Sequence, residues 1–173
     1  MKDFQKIILY YVDNDLETLR DFNKNFSKNQ NFIIKTSTSV LSFYRTLRSD
    51  VNTDKRIKIV IIKSYIYSEG LNTNTAMEIV PMIKALDKNI EIITFSDGSD
   101  AFINPTKSDI RISDFIKKNE DFYIVLDAVI TEISSRKDFL KFSKIYRSLI
   151  IILLSAISII ITLLLIIYIN KDL

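Results

Sequence analysis

The 173-residue chain contains neither cysteine nor histidine, which removes most catalytic chemistry at once. Disulfides, thiolate or imidazole metal ligands, Ser-His and Cys-His nucleophile pairs, and histidine phosphotransfer by this chain itself are excluded. With only two glycines, Gly70 and Gly98, neither a P-loop nor a dinucleotide fingerprint can be built. What remains are carboxylates, ammonium groups and hydroxyls at the ends of short apolar runs. Asp13, Asn14 and Asp15 follow the run 7–12, Lys63 and Ser64 follow 57–62, Ser96 follows 90–95, and Lys118 follows 115–117. Asp13, Asp15 and Glu69 are oxygen ligands of the type that holds Mg²⁺ in phosphoryl transfer. The lysine at the end of 57–62 opposes that reading, and no cofactor is expected.

These side chains must be positioned by alternating strands and helices. The run 7–12 predicts a strand buried on both faces, followed by a helix that enters through Asp13, Asn14 and Asp15 and presents Leu16, Leu19, Phe22 and Phe26 on one side. A short strand follows at 32–34. Ser39 caps a second helix with Val40, Leu41, Tyr44 and Leu47 on its apolar side, and 57–62 is a strongly apolar third strand. The next helix carries Ala76, Ile79, Val80 and Ile83, with Pro81 expected to kink it or delay its start. The run 90–95 is a fourth strand and 115–117 a fifth, separated by a polar stretch in which any helix is short or broken at Pro105. Phe122, Val125, Leu126, Val129, Ile130 and Ile133 form a last amphipathic helix. Strands alternating with helices predict an α/β fold, a five-stranded parallel sheet in a three-layer sandwich joined by right-handed crossovers.

Beyond that domain, 149–169 is an uncharged run made almost wholly of Ile and Leu. At about 1.5 Å per residue it covers the roughly 30 Å hydrocarbon core of a bilayer. The polar start, Met1 to Gln5, does not read as a signal peptide. Arg136, Lys137, Lys141, Lys144 and Arg147 precede the apolar run against one acid, Asp138, and only residues 170–173 follow it. The positive-inside rule then places the large domain in the cytoplasm, on a single-pass anchor in the cytoplasmic (inner) membrane. A basic collar of this kind is also attracted to anionic headgroups by about 1 kcal/mol per residue. The collar carries +4 of a total charge of +3, leaving residues 1–135 at −1, so no nucleic-acid partner is expected. The expected organisation is therefore a cytoplasmic domain at 1–135, the collar at 136–147, a transmembrane helix at 148–169 and a short tail at 170–173. Within the membrane helix Ser148, Ser155 and Thr162 recur every seven residues, with Ser158 three beyond Ser155. That stripe fits either helix–helix association or hydrogen bonds within the same helix.

Five β/α units in about 135 residues have the size of a flavodoxin-like fold, with ligands at the carboxyl ends of the strands. At those ends the chain resembles the receiver domain of bacterial response regulators. IILYYVDNDLETL is similar to the family's first strand and acidic pair, with Asp13 at the first acid and Asn14 at the second. ALDKNIEIITFSD is similar to the segment ending in the family's switch Thr or Ser, which places Ser96 there. SDFIKKN is similar to the segment with the family's lysine followed by proline, placing Lys118 at the lysine and Asn119 at the proline. The departures are as telling. Where receivers accept a phosphoryl group on Asp, IKIVIIKSY has Lys63 or Ser64, and Asn14 halves the charge of the Mg²⁺ pair.

The resemblance therefore implies a pseudo-receiver, with the fold kept and phosphorylation lost. In its altered pocket Lys63 either pairs with Asp13 or snorkels to solvent. Two lysines, 63 and 118, facing one carboxylate favour an anion or a water network. The expected function is a non-enzymatic, membrane-tethered adaptor that binds a protein partner or a second copy of itself. A structural subunit of a larger membrane machine for secretion or motility is the alternative, and a Mg²⁺-dependent active receiver is the third.

Overall fold

A computed structural model describes residues 7–67, 73–97 and 112–171. The chain divides into two units, Met1–Glu132 and Ile133–Leu173. The elements of the first run in the order β1 (Ile7–Val12), α1 (Leu16–Phe26), β2 (Phe32–Ser37), α2 (Val40–Thr53), β3 (Lys58–Lys63), β4 (Tyr65–Tyr67), β5 (Thr73–Thr75), α3 (Ala76–Leu86), β6 (Glu91–Ser96) and β7 (Asp114–Lys117). The last helix, α4, spans Phe122–Lys171.

Five strands form one parallel sheet in the order β2-β1-β3-β6-β7. Without the short hairpin this is the 2-1-3-4-5 order of doubly wound flavodoxin-like sheets, whose direction of winding reverses between the first and third strands. The central strands are apolar throughout because helices cover both faces. One face of β1 and β3 gives Ile8, Tyr10, Val12, Val60 and Ile62 to a core closed by Phe43 and Leu47 of α2 and Ile79, Val80 and Ile83 of α3. On the other face Tyr11 stacks between Phe22 of α1 and Phe95 of β6, with ring centroids 4.2 and 5.4 Å apart, and Phe95 meets Phe122 of α4 at 5.3 Å. The expected sandwich of three layers is thus the observed one.

Local deviations from the expected pattern have physical causes. Helix α2 turns Phe43, 1 % exposed, and Leu47 inward, whereas Leu41 is 61 % exposed and Tyr44 is only half-buried. Phe43 wins the inward position because its ring meets Tyr10 edge-on at 6.0 Å, an arrangement that adds to simple area burial. Leu16 is likewise 59 % exposed, and Thr18 takes an inward place on α1 with Leu19, Phe22 and Phe26. Val125 of α4 is also exposed. Strand β2 is longer than expected, with Lys35 bonded to Asp50 at 2.6 Å, the same carboxylate that accepts the buried Tyr10 hydroxyl at 2.5 Å. Helix α3 starts at Ala76 and continues through Pro81, which is exposed, so the proline does not delay it.

After β3 the chain forms a small antiparallel hairpin, β4 with β5, which the sequence did not announce. Ile66 buries into the core from it, and the Ala76 amide donates to the Ser64 carbonyl at 2.9 Å, closing the hairpin's base. Glu69, the more distant acid of the metal reading, and the polar stretch with Pro105 lie outside the described residues.

If Phe43 closes this core, Phe43→Ala destabilises the domain by about 3–5 kcal/mol, while Leu41→Ala stays within about 0.5 kcal/mol of the parent. Urea unfolding of the two variants checks this, and equal losses would show that α2 is turned otherwise.

Candidate functional site

Because the five strands are parallel, their carboxyl ends lie on one edge, and the candidate residues at 13, 63, 96 and 118 come together there. Asp13 leaves β1 fully buried. Its Oδ1 accepts the Asp15 amide at 3.1 Å, while among the described residues its Oδ2 has no hydrogen-bond partner. Burial pushes its carboxyl above the ordinary range, opposed by the Asp15 amide and by the charges of Lys63 and Lys118, with Asp97 adding to the rise. Two residues earlier on the same side of β1, the buried Tyr11 hydroxyl also lacks a partner, and burial and the neighbouring Asp13 raise its pKa strongly.

Lys63 ends β3 with its side chain only 15 % exposed, and its ammonium forms an ion pair with Asp97 Oδ2. The expectation that Lys63 would pair with Asp13 is therefore corrected. Asp97, the first residue after β6, is the acid that meets it, and Lys63 acts on Asp13 only through its charge. The reason is register: Lys63 lies beside Phe95 in the sheet, so the residue emerging from β6 is within its reach. Lys118, just past β7, has its ammonium 3.9 Å from Asp97 Oδ1 and donates to Thr18 Oγ1 at 3.0 Å. Thr18 in turn donates to Asp15 Oδ2 at 2.7 Å. This contact, followed by the Glu17 amide, holds the Asp15 carboxyl below the usual carboxylate range.

Ser96 is buried, and its carbonyl accepts the Lys118 amide at 2.8 Å. Ser64 turns to the backbone, its hydroxyl donating to the Phe95 carbonyl at 2.9 Å and its amide to the same oxygen at 2.7 Å. Asn14 is exposed. The site is thus a chain of polar contacts, from Lys63 through Asp97, Lys118 and the Thr18 hydroxyl to Asp15, beside the buried Asp13. Asp97 and Thr18 are the members that sequence reasoning missed. Two ammonium groups on the strands flanking β6 call for an acid near the end of β6, and that requirement was the available signal for Asp97.

This arrangement sets three carboxylates, Asp13, Asp15 and Asp97, against two lysines. A cation at the site would meet both ammonium groups, and among the described residues no group of three acidic ligands gathers around a point.

In the second unit, α4 carries the collar and the apolar run. Leu149, Ile151, Leu153 and Ile159 are all exposed, 58 to 61 % each, in contrast to Phe122, Leu126, Ile130 and Ile133 at the start of the same helix, which are buried. It is the one helix long and apolar enough, among the described residues, to cross a membrane by length and composition. The Ser155 hydroxyl donates to the Ile152 carbonyl of its own helix at 2.7 Å, while the Thr162 side chain lies outside what is described.

No protein-family model matches the chain, and no curated protein matches it. Solved structures do. A response regulator receiver domain from Clostridium thermocellum matches at 16 % identity and a TM-score of 0.59, over 78 % of this chain and 98 % of its own. The receiver domain of a putative Luxo repressor protein from Vibrio parahaemolyticus matches at 10 % identity and a TM-score of 0.60, over 79 % and 96 %. A response regulator receiver protein from Pseudoalteromonas atlantica matches at 20 % identity and 0.58, over 75 % and 98 %. At such identities the likeness concerns the backbone, and together with the strand order it establishes that the domain has the α/β fold of response-regulator receivers.

Proposed function

We propose that this chain is a membrane-tethered pseudo-receiver, a regulatory adaptor that acts by binding another protein and transfers no phosphoryl group. The observation that carries this reading is the end of β3, where Lys63 is ion-paired to Asp97. An ammonium cannot form an acyl phosphate, and Ser64, the neighbouring alternative, is bonded to the β6 backbone. The buried Asp13, with one oxygen unpartnered among the described residues, is a group kept at some expense to stability, a common mark of sites retained for function. Membrane tethering is supported by the apolar run of α4, whose Leu149, Ile151, Leu153, Leu154 and Ile159 are all exposed, since apolar surface of that extent needs a non-aqueous cover. The basic collar favours a cytoplasmic domain and contact with anionic lipid.

Two experiments test this reading. Incubation with acetyl phosphate or a histidine-kinase donor should yield no phosphoprotein. A hydroxylamine-labile label abolished by Asp13→Ala would overturn the non-phosphorylating assignment. Deletion of residues 148–173 should move the domain from the membrane to the soluble fraction. Retention after a high-salt wash would show that α4 is not the principal anchor, whereas retention lost in salt would assign the attachment to the collar.

A further inference from the structure

The collar, 136–147, is helical throughout as part of α4. Its Phe139, Phe142 and Tyr146 are all exposed, as are Leu149 and Leu153 in the turns that follow. These positions are spaced alternately three and four residues apart, the spacing of a coiled-coil seam, which keeps them on one side of the helix. Lys137, Lys141, Lys144 and Arg147 occupy none of them, and at 3.6 residues per turn their positions fall on the opposite side, where a coiled coil meets water. Leu140, also exposed, falls among the bases. Ser148 and Ser155 fall on that side too, and the Ser155 hydroxyl is bonded within its own helix, so the seam is a different surface from the stripe of small polar residues. We infer that the seam is an interface with a second copy of this chain, parallel and in register, which begins outside the bilayer at Phe139 and enters the apolar run through Leu149 and Leu153. The inference rests on the membrane-tethered reading and adds self-association to it.

Depth decides between a second copy and lipid as the cover. Phe139 precedes Leu149, the start of the apolar run, by ten residues, which is about 15 Å of helix. The headgroup layer adds only about 5–8 Å to each side of the hydrocarbon, and a tilt of about 40° still leaves Phe139 beyond it. Acyl chains therefore do not reach the outer end of the seam, and an aromatic face left in water is unfavourable. The anchor favours the parallel pairing, because it holds every copy in one orientation at one depth, so that identical seams meet without a shift and at a raised effective concentration. The bases of two collars repel each other, but their positions off the seam put them on the outer sides of the pair, where water and salt screen them.

Because the sequence contains no cysteine, a single introduced thiol is the sole cross-linking group. Isolated membranes carrying the full chain with Phe139→Cys, Phe142→Cys or Tyr146→Cys are oxidised with copper phenanthroline, with Lys137→Cys, Lys141→Cys, Lys144→Cys and Ser148→Cys as controls off the seam. The seam variants should shift to twice the monomer mass on non-reducing gels, and the controls should stay at the monomer mass. With Tyr146→Cys as reporter, adding Phe139→Ser and Phe142→Ser should lose the dimer band, whereas adding Lys141→Ser and Lys144→Ser should keep it. Equal cross-linking at every position would show random collision, and cross-linking confined to Ser148→Cys would move the interface to the serine stripe; either overturns the inference. A Phe142→Cys thiol that forms no dimer overturns it as well: shielding from a water-soluble maleimide would then assign the face to lipid, and free reaction would leave it uncovered. Recovery of the chain in the soluble fraction is a separate result that sinks the tethering reading, while a monomeric chain in the membrane fraction sinks only the seam.

Discussion

A parallel sheet wrapped by helices on both faces has no interior position for a free charge, so charge is pushed to the ends of its strands. Strand β3 shows the constraint most simply. Its residues Ile59, Val60, Ile61 and Ile62 are all fully buried, and a lysine stands at each end. At the start, the Lys58 ammonium bonds to the carbonyls of Asp54 and Arg56; at the finish, Lys63 pairs with Asp97. Every charged group of the candidate site is at a carboxyl end for the same reason, and the parallel direction of the strands brings those ends to one edge. The reversal of winding between β1 and β3 then puts Asp13 and Lys63 on adjacent strands.

Within that edge the electrostatics are unusual in one respect. The fully buried Asp13 keeps one oxygen without a hydrogen-bond partner among the described residues, while Asp97, 39 % exposed, meets both lysines. Removing Asp13's charge from water raises its carboxyl pKa, and two ammonium charges only partly oppose this. Below Asp13 on β1 the Tyr11 hydroxyl also lacks a hydrogen-bond partner among the described residues, although its ring is held by two aromatic neighbours. Packing energy from the rings supports a polar end that packing alone would not select. Such local conflict between polarity and burial separates a site from the core around it.

Much of the sheet was legible from the sequence because runs such as 7–12 and 59–62 are continuously apolar and rich in β-branched and aromatic residues, and a doubly buried strand has few other solutions. The helix faces were less so. In α2 the sequence offers Leu41, Phe43, Tyr44 and Leu47 within two turns, and the choice of Phe43 depends on Tyr10, a contact between residues far apart in the chain. The hairpin after β3 was illegible because its strands, Tyr65–Tyr67 and Thr73–Thr75, are three residues each, too short for a period-2 pattern to register. At the site, Asp13, Lys63, Ser96 and Lys118 were legible as strand-end residues. Asp97 was not, since pairing depends on which strand lies beside β3, and one-dimensional spacing does not contain the order of strands. Thr18 resembled an ordinary helix residue until Lys118, distant in sequence, was found 3.0 Å from its hydroxyl.

The proposed function depends on the ion pair between Lys63 and Asp97 at the end of β3, and a double-mutant cycle measures it most directly. Lys63→Met, Asp97→Asn and the double variant would be compared with the parent by denaturant unfolding at low and high salt. A partly exposed pair with this geometry should show a favourable coupling of about 0.5–1 kcal/mol that shrinks as salt rises. Additive single effects, with no coupling at low salt, would mean that Lys63 and Asp97 do not act on each other, and the reading of this pocket as a self-paired, non-phosphorylating site would be contradicted.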